Sequence, residues 1–243
     1  MEIWQHIQKN DNIVPLIIFG IVILIVVFLL TKKIKDRKLL KTVTSLNRGT
    51  KSERDLVLQL LKHGIPSQTI FHDLCIEKKN GEFSQIDVVV ATTEGIIVFE
   101  VKDYSGWIYG NGNHSHWTKV LAYGKEKYKF YNPIKQNNAH IETIRKQLKQ
   151  FDNIPFFSII VFYGNCELKE INFVPEGTFL VKSPRIFEVL KLIKKYNNAA
   201  PYTNKQEIVN TLQNAMLNGG NINNQMRHIE NIKNMLGKDR IFD

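Results

Sequence analysis

Asp87, Glu100 and Lys102 sit on two β-branched runs, residues 85–92 and 95–102, that flank Thr93-Glu94. The Val/Ile content and the short polar break between the runs read as a β-hairpin. With Thr92 facing Gly95, Asp87 faces Glu100, and the two-residue period of a strand puts Lys102 on the side of Glu100. Val89, Val98, Ala91 and Ile96 line the rest of that face. Two carboxylates at the end of an apolar surface are costly to bury unless a cation compensates them. A divalent metal and one lysine would do so, and that combination is equipped for phosphodiester hydrolysis. The same three residues also suit a salt-bridged surface hairpin, so the hairpin alone leaves both readings open.

Four blocks in order narrow the choice. Gln85-Ile86-Asp87 and Phe99-Glu100-Val101-Lys102 followed by Gly106 resemble the core of the PD-(D/E)xK nuclease superfamily, and more closely the nuclease-related domain (NERD) family. Asn132-Pro133-Ile134-Lys135-Gln136 is similar to a later block of that family. Gly49-Thr50-Lys51-Ser52-Glu53 resembles its first-helix motif, with Ser52 standing where glycine is more usual. The resemblance runs from Gly49 to Gln150, under half of the chain. It implies a nuclease-like fold and catalysis with Mg²⁺ or Mn²⁺. On that reading Asp87 and Glu100 hold the metal with the carbonyl of Val101. Lys102 positions or deprotonates the attacking water or stabilises developing charge, and Glu53 and Gln136 orient water, metal or substrate. Glu53 has a second reading, because Thr50-x-x-Glu53 is a capping box that opens a helix over 50–63 with Leu56, Val57, Leu60 and Leu61 as its apolar stripe.

The remaining elements must hold these residues. Residues 69–76 read as a first strand, 107–110 and 117–120 as short strands around Asn-Gly-Asn, and 127–131 as another. Asn132 caps a helix over 133–151 that starts at Pro133, with Ile134, Ile141, Ile144 and Leu148 inward and Gln136 and His140 paired along its edge. Residues 156–163 form a continuous apolar run suited to a buried central strand, and 177–182 a further strand before a helix over 183–195. This order predicts an α/β fold, a mixed sheet flanked by helices with a restriction-endonuclease-like core. Two tail helices are expected, one opened by Thr203-x-x-Gln206 with Ile208, Leu212 and Met216 inward, the other carrying Met226, Ile229 and Ile232.

The chain of 243 residues has a net charge of +10, which suits a polyanionic partner, nucleic acid or an anionic membrane surface. Residues 13–30 carry no charge and would form a helix ~27 Å long, near the thickness of a bilayer core. Trp4 lies toward one end, and Lys32, Lys33, Lys35, Arg37, Lys38 and Lys41 follow against Asp36 alone. This asymmetry predicts a single-pass cell-membrane anchor with the body in the cytoplasm. The expected organisation is an anchor segment (1–31), a basic juxtamembrane linker (32–48), a nuclease-like core (49–155) and a C-terminal completion with packing helices (156–243).

Other patterns carry less. Cys75 and Cys166 form neither a zinc nor a disulfide framework. His114-Ser115-His116 lacks a third ligand for a tight metal site. Trp107, Tyr109, Trp117, Tyr123 and Tyr128 interleave with Lys119, Lys125, Lys127 and Lys129, which suits base stacking with phosphate contact but also an ordinary aromatic core. The expected function is a membrane-anchored metal-dependent nuclease, and the alternative is a non-catalytic nucleic-acid-binding or scaffold module with the same fold. DNA versus RNA, endo versus exo cleavage and oligomeric state stay open at this stage.

Overall fold

The computed structural model describes residues 13–78, 82–121, 124–148, 153–202 and 204–220. Trp4, Tyr123, Thr203 and the expected helix around Ile229 lie outside them.

The elements follow the sequence pattern closely. α1 (Ile13–Leu40) runs unbroken from the apolar stretch through the basic segment. α2 (Lys51–Lys62) is capped by Thr50, whose hydroxyl accepts from the Glu53 N–H, and ends before Gly64 in the left-handed region at φ 89°. Then come β1 (Ile70–Glu77), β2 (Phe83–Ala91), β3 (Ile96–Asp103), β4 (Gly106–Asn111), β5 (His116–Leu121) and β6 (Glu126–Tyr131). α3 (Pro133–Gln147), β7 (Phe156–Tyr163), β8 (Cys166–Asn172), β9 (Thr178–Lys182), α4 (Ile186–Tyr196) and α5 (Lys205–Gly219) complete the described chain. Asn204 caps α5 by accepting from the Glu207 N–H.

The strands form two mixed sheets rather than one. The larger has the order β1-β2-β3-β7-β9, with β1, β2 and β3 antiparallel and β3, β7 and β9 parallel. The smaller has the order β6-β5-β4-β8, a meander with β8 added parallel to β4. A register shift at Ile108/Tyr109 in the β4–β8 ladder breaks the alternation there, which is why β8 is not evident as a strand in the sequence.

Apolar burial on both faces of the larger sheet explains its place in the middle. Leu56, Val57, Leu60 and Leu61 of α2 and Ile186, Val189 and Ile193 of α4 cover one face through Val88, Val90, Ile97, Phe99, Ile159 and Val161. Ile141 and Ile144 of α3 and Ile208 and Leu212 of α5 cover the other through Phe71, Leu74, Ile86, Val89 and Val98. β7 is buried on both sides, as its unbroken apolar run demands. A third core of Ile108, Trp117, Ile134, Ile160 and Phe162 joins the smaller sheet to α3 and β7. Cys75 and Cys166 are both buried free thiols.

The last turns of α1 belong to this body. Leu40 is buried in the α2 core, Leu39, Val43 and Leu46 pack against it, and Asp36 pairs with Lys62 at 2.7 Å. Upstream, Leu16 to Leu30 present their large apolar side chains to the surroundings. The helix from Pro15 to Leu40 is long and apolar enough to cross a membrane, with a mean hydropathy of 2.7 over its best window.

Candidate active site

The hairpin has the register expected from its turn. Ala91 pairs with Ile96, Val90 with Ile97, Val89 with Val98 and Val88 with Phe99, and the Thr92 N–H donates to the Gly95 carbonyl. The ladder stops at Val88–Phe99 while β3 continues against β7 as far as Asp103. At the point of divergence the Asp87 carboxylate takes the place of a strand partner, and its Oδ2 accepts from the Val101 N–H at 2.7 Å. A residue's N–H and C=O point to the same edge of an extended strand, so the Val101 carbonyl faces the Asp87 side.

Asp87 departs from simple alternation. Ile86 and Val89 both face the α3 side although they are three apart, and Phe71 and Leu74 do the same on β1. The break is built by Asp73, which sits at φ 56° and lies opposite Asp87, between the pairs His72–Val88 and Leu74–Ile86. A left-handed non-glycine residue costs on the order of 1–3 kcal/mol unless the surroundings fix it. Here Arg48 Nε donates to Asp73 Oδ2 at 2.8 Å, its Nη2 to the Asp73 carbonyl at 2.6 Å, and Gln85 Nε2 to Asp73 Oδ1 at 2.6 Å. Asp87 is thereby turned edge-on between the two faces of the sheet. From there its charge couples to Glu53 on α2 and to Glu100 and Lys102 on β3.

On the α3 side stand Glu100 and Lys102. Glu100 is 1% exposed, its Oε1 lies 2.6 Å from Lys102 Nζ and its Oε2 3.3 Å from His140 Nε2. Lys102 Nζ also donates to Gln136 Oε1 at 3.0 Å. Burial works to raise the Glu100 pKa, but His140 and Lys102 outweigh it and hold the carboxyl below its ordinary range. Burial likewise works to lower the Lys102 pKa, and Glu100 outweighs it, so the ammonium titrates above an ordinary lysine. His140 is fixed from behind by Ser84, whose Oγ lies 2.9 Å from Nδ1.

On the α2 side stands Glu53. The Thr50 hydroxyl donates to its Oε1 at 2.7 Å, and its Oε2 lies 3.4 Å from His72 Nε2. His72 Nδ1 is 2.8 Å from Thr44 Oγ1. The capping box is therefore formed, and the same carboxylate reaches toward Asp87. Burial would raise the Glu53 pKa, yet the His72 and Thr50 contacts outweigh it and keep it low. A Cβ on Gly49, which sits at φ 64°, would lie 2.4 Å from Glu53 Oε2 and 2.6 Å from His72 Nε2. Only glycine fits there. Ser52, one turn along, is buried and donates to Asp103 at the end of β3, which gives this serine its own structural task.

Asp87 has the opposite electrostatics. Burial first, then Glu100 and Glu53, push its pKa well above the ordinary aspartate value, and the Val101 N–H and Lys102 only partly offset them. The folded state therefore holds a proton that the unfolded state releases near pH 4, and stability attributable to Asp87 falls as pH rises above about 4. Asp87→Asn is expected to remove that decline and to raise the Tm of the protein in EDTA at neutral pH. Thermal melts of both proteins between pH 4 and 8 check this, and a variant that melts lower throughout would contradict it.

All five side chains singled out by the sequence, together with the Val101 backbone, are thus brought together. Glu100, Lys102 and Gln136 touch, Asp87 is bonded to Val101, and Glu53 lies within charge range of Asp87. His72, His140 and Ser84 were not foreseen as parts of it. His140 alone left a signal, its spacing of four from Gln136. His114 and His116 are exposed, in line with the weak metal pattern there.

The donors suit a hard divalent cation. Glu100 Oε2 is buried and makes no hydrogen bond among the described residues. The repulsion that raises Asp87 comes from the neighbouring carboxylates, and a cation between them would relieve it. No group of three or more His, Cys, Asp or Glu side chains stands ready as a metal cage among the described residues, so backbone and water oxygens would have to complete the set.

Fold and site together define an α/β domain with a carboxylate–lysine centre at the point where a central hairpin parts. Residues 48–163 match the family described as the nuclease-related domain. An uncharacterized protein of Bacillus anthracis is 32% identical over 125 residues. The match covers 51% of this chain and 57% of that relative. No solved structure matches the chain.

Proposed function

We propose that the chain is a membrane-anchored nuclease that hydrolyses phosphodiester bonds of nucleic acid with Mg²⁺ or Mn²⁺. The observation that carries this reading is the convergence of Asp87, Glu100, Lys102 and Gln136 where the β2–β3 ladder ends. Asp87, Glu100 and the Val101 carbonyl would hold the metal, which when bound supplies Lewis acidity and a more acidic water. Lys102 is an ammonium held charged by Glu100, so it serves negative charge developing on phosphoryl oxygens rather than proton abstraction. Gln136 fixes the direction of that ammonium through Oε1. Glu53, kept ionised by His72 and Thr50, is an acceptor that would orient a water beside Asp87. His140 Nε2 faces, at 3.3 Å and without a hydrogen bond, the Glu100 oxygen that Lys102 leaves free.

A second reading is a non-catalytic nucleic-acid-binding or scaffold module. One observation favours it: Lys102 already neutralises Glu100 at 2.6 Å. Incubation of the full chain in detergent with labelled DNA and RNA separates the two. Cleavage in Mn²⁺ that stops in EDTA supports the nuclease. Intact substrates under both conditions, with binding retained, support the scaffold.

The exposed apolar length of α1 and the basic residues in its C-terminal third support anchoring with the body in the cytoplasm. The protein is expected to resist a carbonate wash, to dissolve in detergent, and to survive protease added to intact cells. Release by the wash, or digestion of the body from outside, would sink this part of the proposal.

A further inference from the structure

The aromatic and lysine residues interleaved in the sequence are sorted by the smaller sheet. Trp117 is buried in the core. Trp107 pairs with Val120 and has Lys169 over its ring at 5.4 Å, on the opposite face. On the face that carries Trp117 and Phe130, Lys119 pairs with Tyr128 across the β5–β6 ladder. Lys119 Nζ lies over two rings at once, 5.0 Å from the centre of Tyr104 and 5.5 Å from that of Tyr128. Tyr104, which the sequence pattern had not included, follows β3 two residues after Lys102. Its phenol lies within range of the Lys102 charge. Its ring meets Phe130 edge-on at 4.9 Å, so the row is backed by the core.

We propose that Tyr104, Lys119 and Tyr128 form a track for one unpaired nucleic-acid strand leading away from Lys102. Ring, cation and ring alternate from the candidate active site to the edge of the sheet. That order offers stacking faces to bases and a charge to the backbone between them. Tyr128 is 48% exposed, and its hydroxyl donates to Glu126 at 2.9 Å, which steadies the ring without covering it. Lys127 and Lys129 are exposed on the same strand. β6 thus sets two lysines against Glu126, whereas β8 at the far edge of the sheet sets Glu167 and Glu170 against Lys169, so the charge favours a polyanion on the β6 side. Paired bases hide their faces, so a duplex would gain the lysines but not the rings.

The track rests on the nucleic-acid reading of the site, and the test separates the two. The full chain in detergent is titrated into a short fluorescein-labelled strand, as DNA and as RNA, and into the matching DNA duplex. Anisotropy is read in Ca²⁺, and cleavage in Mn²⁺ is measured in parallel. Tyr128→Ala is expected to weaken single-strand binding about tenfold and duplex binding by less than about twofold, while Tyr128→Phe keeps the wild-type affinity. Lys119→Met should weaken both and flatten the salt dependence. The track is overturned if Tyr128→Ala binds the strand like wild type, if strand and duplex lose affinity equally, or if wild type binds no strand. Wild type that binds as expected but cleaves nothing removes the nuclease and leaves the track standing.

Discussion

Lys102→Met is expected to reduce cleavage by about 10²- to 10³-fold while Mn²⁺ binding persists or tightens. Lys102 and a metal compete to neutralise the same carboxylate. The ammonium lies 2.6 Å from Glu100 Oε1, so removing it leaves a buried anion that a cation can satisfy. The loss of rate has a different origin, since Lys102 is the ammonium held at Glu100 to meet charge on a transferring phosphoryl group. Asp87→Asn and Glu100→Gln should fail in the other way, losing most of the Mn²⁺ affinity because one carboxylate is a poor donor set by itself. Calorimetric titration of Mn²⁺ into wild type and the three variants, with cleavage measured beside it, tests the division of roles. The nuclease reading fails if wild type binds no Mn²⁺ at millimolar levels. It fails equally if Asp87→Asn binds as well as wild type.

The hairpin was legible because turn position and β-branched runs are local signals, and its observed register is the one they predict. Gln136 was singled out by the resemblance of Asn132-Pro133-Ile134-Lys135-Gln136 to a family block, and the Asn132 cap with Pro133 after it sets the phase of α3. What stayed hidden depends on partners distant in sequence. The edge-on turn of Asp87 needs Asp73, and Asp73 needs Arg48 from before α2. His72 and Ser84 read as ordinary strand residues, and only packing against α2 and α3 brings them to Glu53 and to His140 beside Glu100. The division into two sheets was equally out of reach, because strands of about six residues carry no label for the sheet they join.

The break at Asp87 joins the site to α1. Thr44 lies four residues after α1 and is buried against His72, which faces Glu53, whose charge reaches Asp87. The end of α1 is thus part of the scaffold of the α2 side. The α3 side has a separate anchor in the smaller sheet, so the two helices that flank the site are held independently.

That second anchor is Asn132, and Asn132→Ala is expected to destabilise the protein by roughly 3 kcal/mol or more. Asn132 is fully buried. Its Nδ2 donates to the carbonyls of Asn111, Gly112 and His114 at 3.1, 3.0 and 2.7 Å, and its Oδ1 accepts from the Ile134 N–H at 2.9 Å. One side chain therefore caps α3 and ties it to the β4–β5 turn. Alanine removes the cap, worth about 1 kcal/mol, and strips a donor from the carbonyls of Gly112 and His114, each of which loses about 1–3 kcal/mol if left unpaired, while the Asn111 carbonyl keeps the Trp117 Nε1–H and the His114 N–H. Asn132→Asp separates the two tasks. It keeps the cap oxygen but turns an anion toward three carbonyl oxygens, so it should be at least as harmful as alanine. If the cap were the main contribution, Asp would be nearly neutral. Denaturant unfolding of wild type and both variants distinguishes these outcomes. A loss below about 1 kcal/mol for alanine would show that the turn does not depend on this side chain. Because Gln136 is one turn further along α3, any variant that still folds should also lose the aim of Lys102, and with it cleavage, before it loses Mn²⁺ binding.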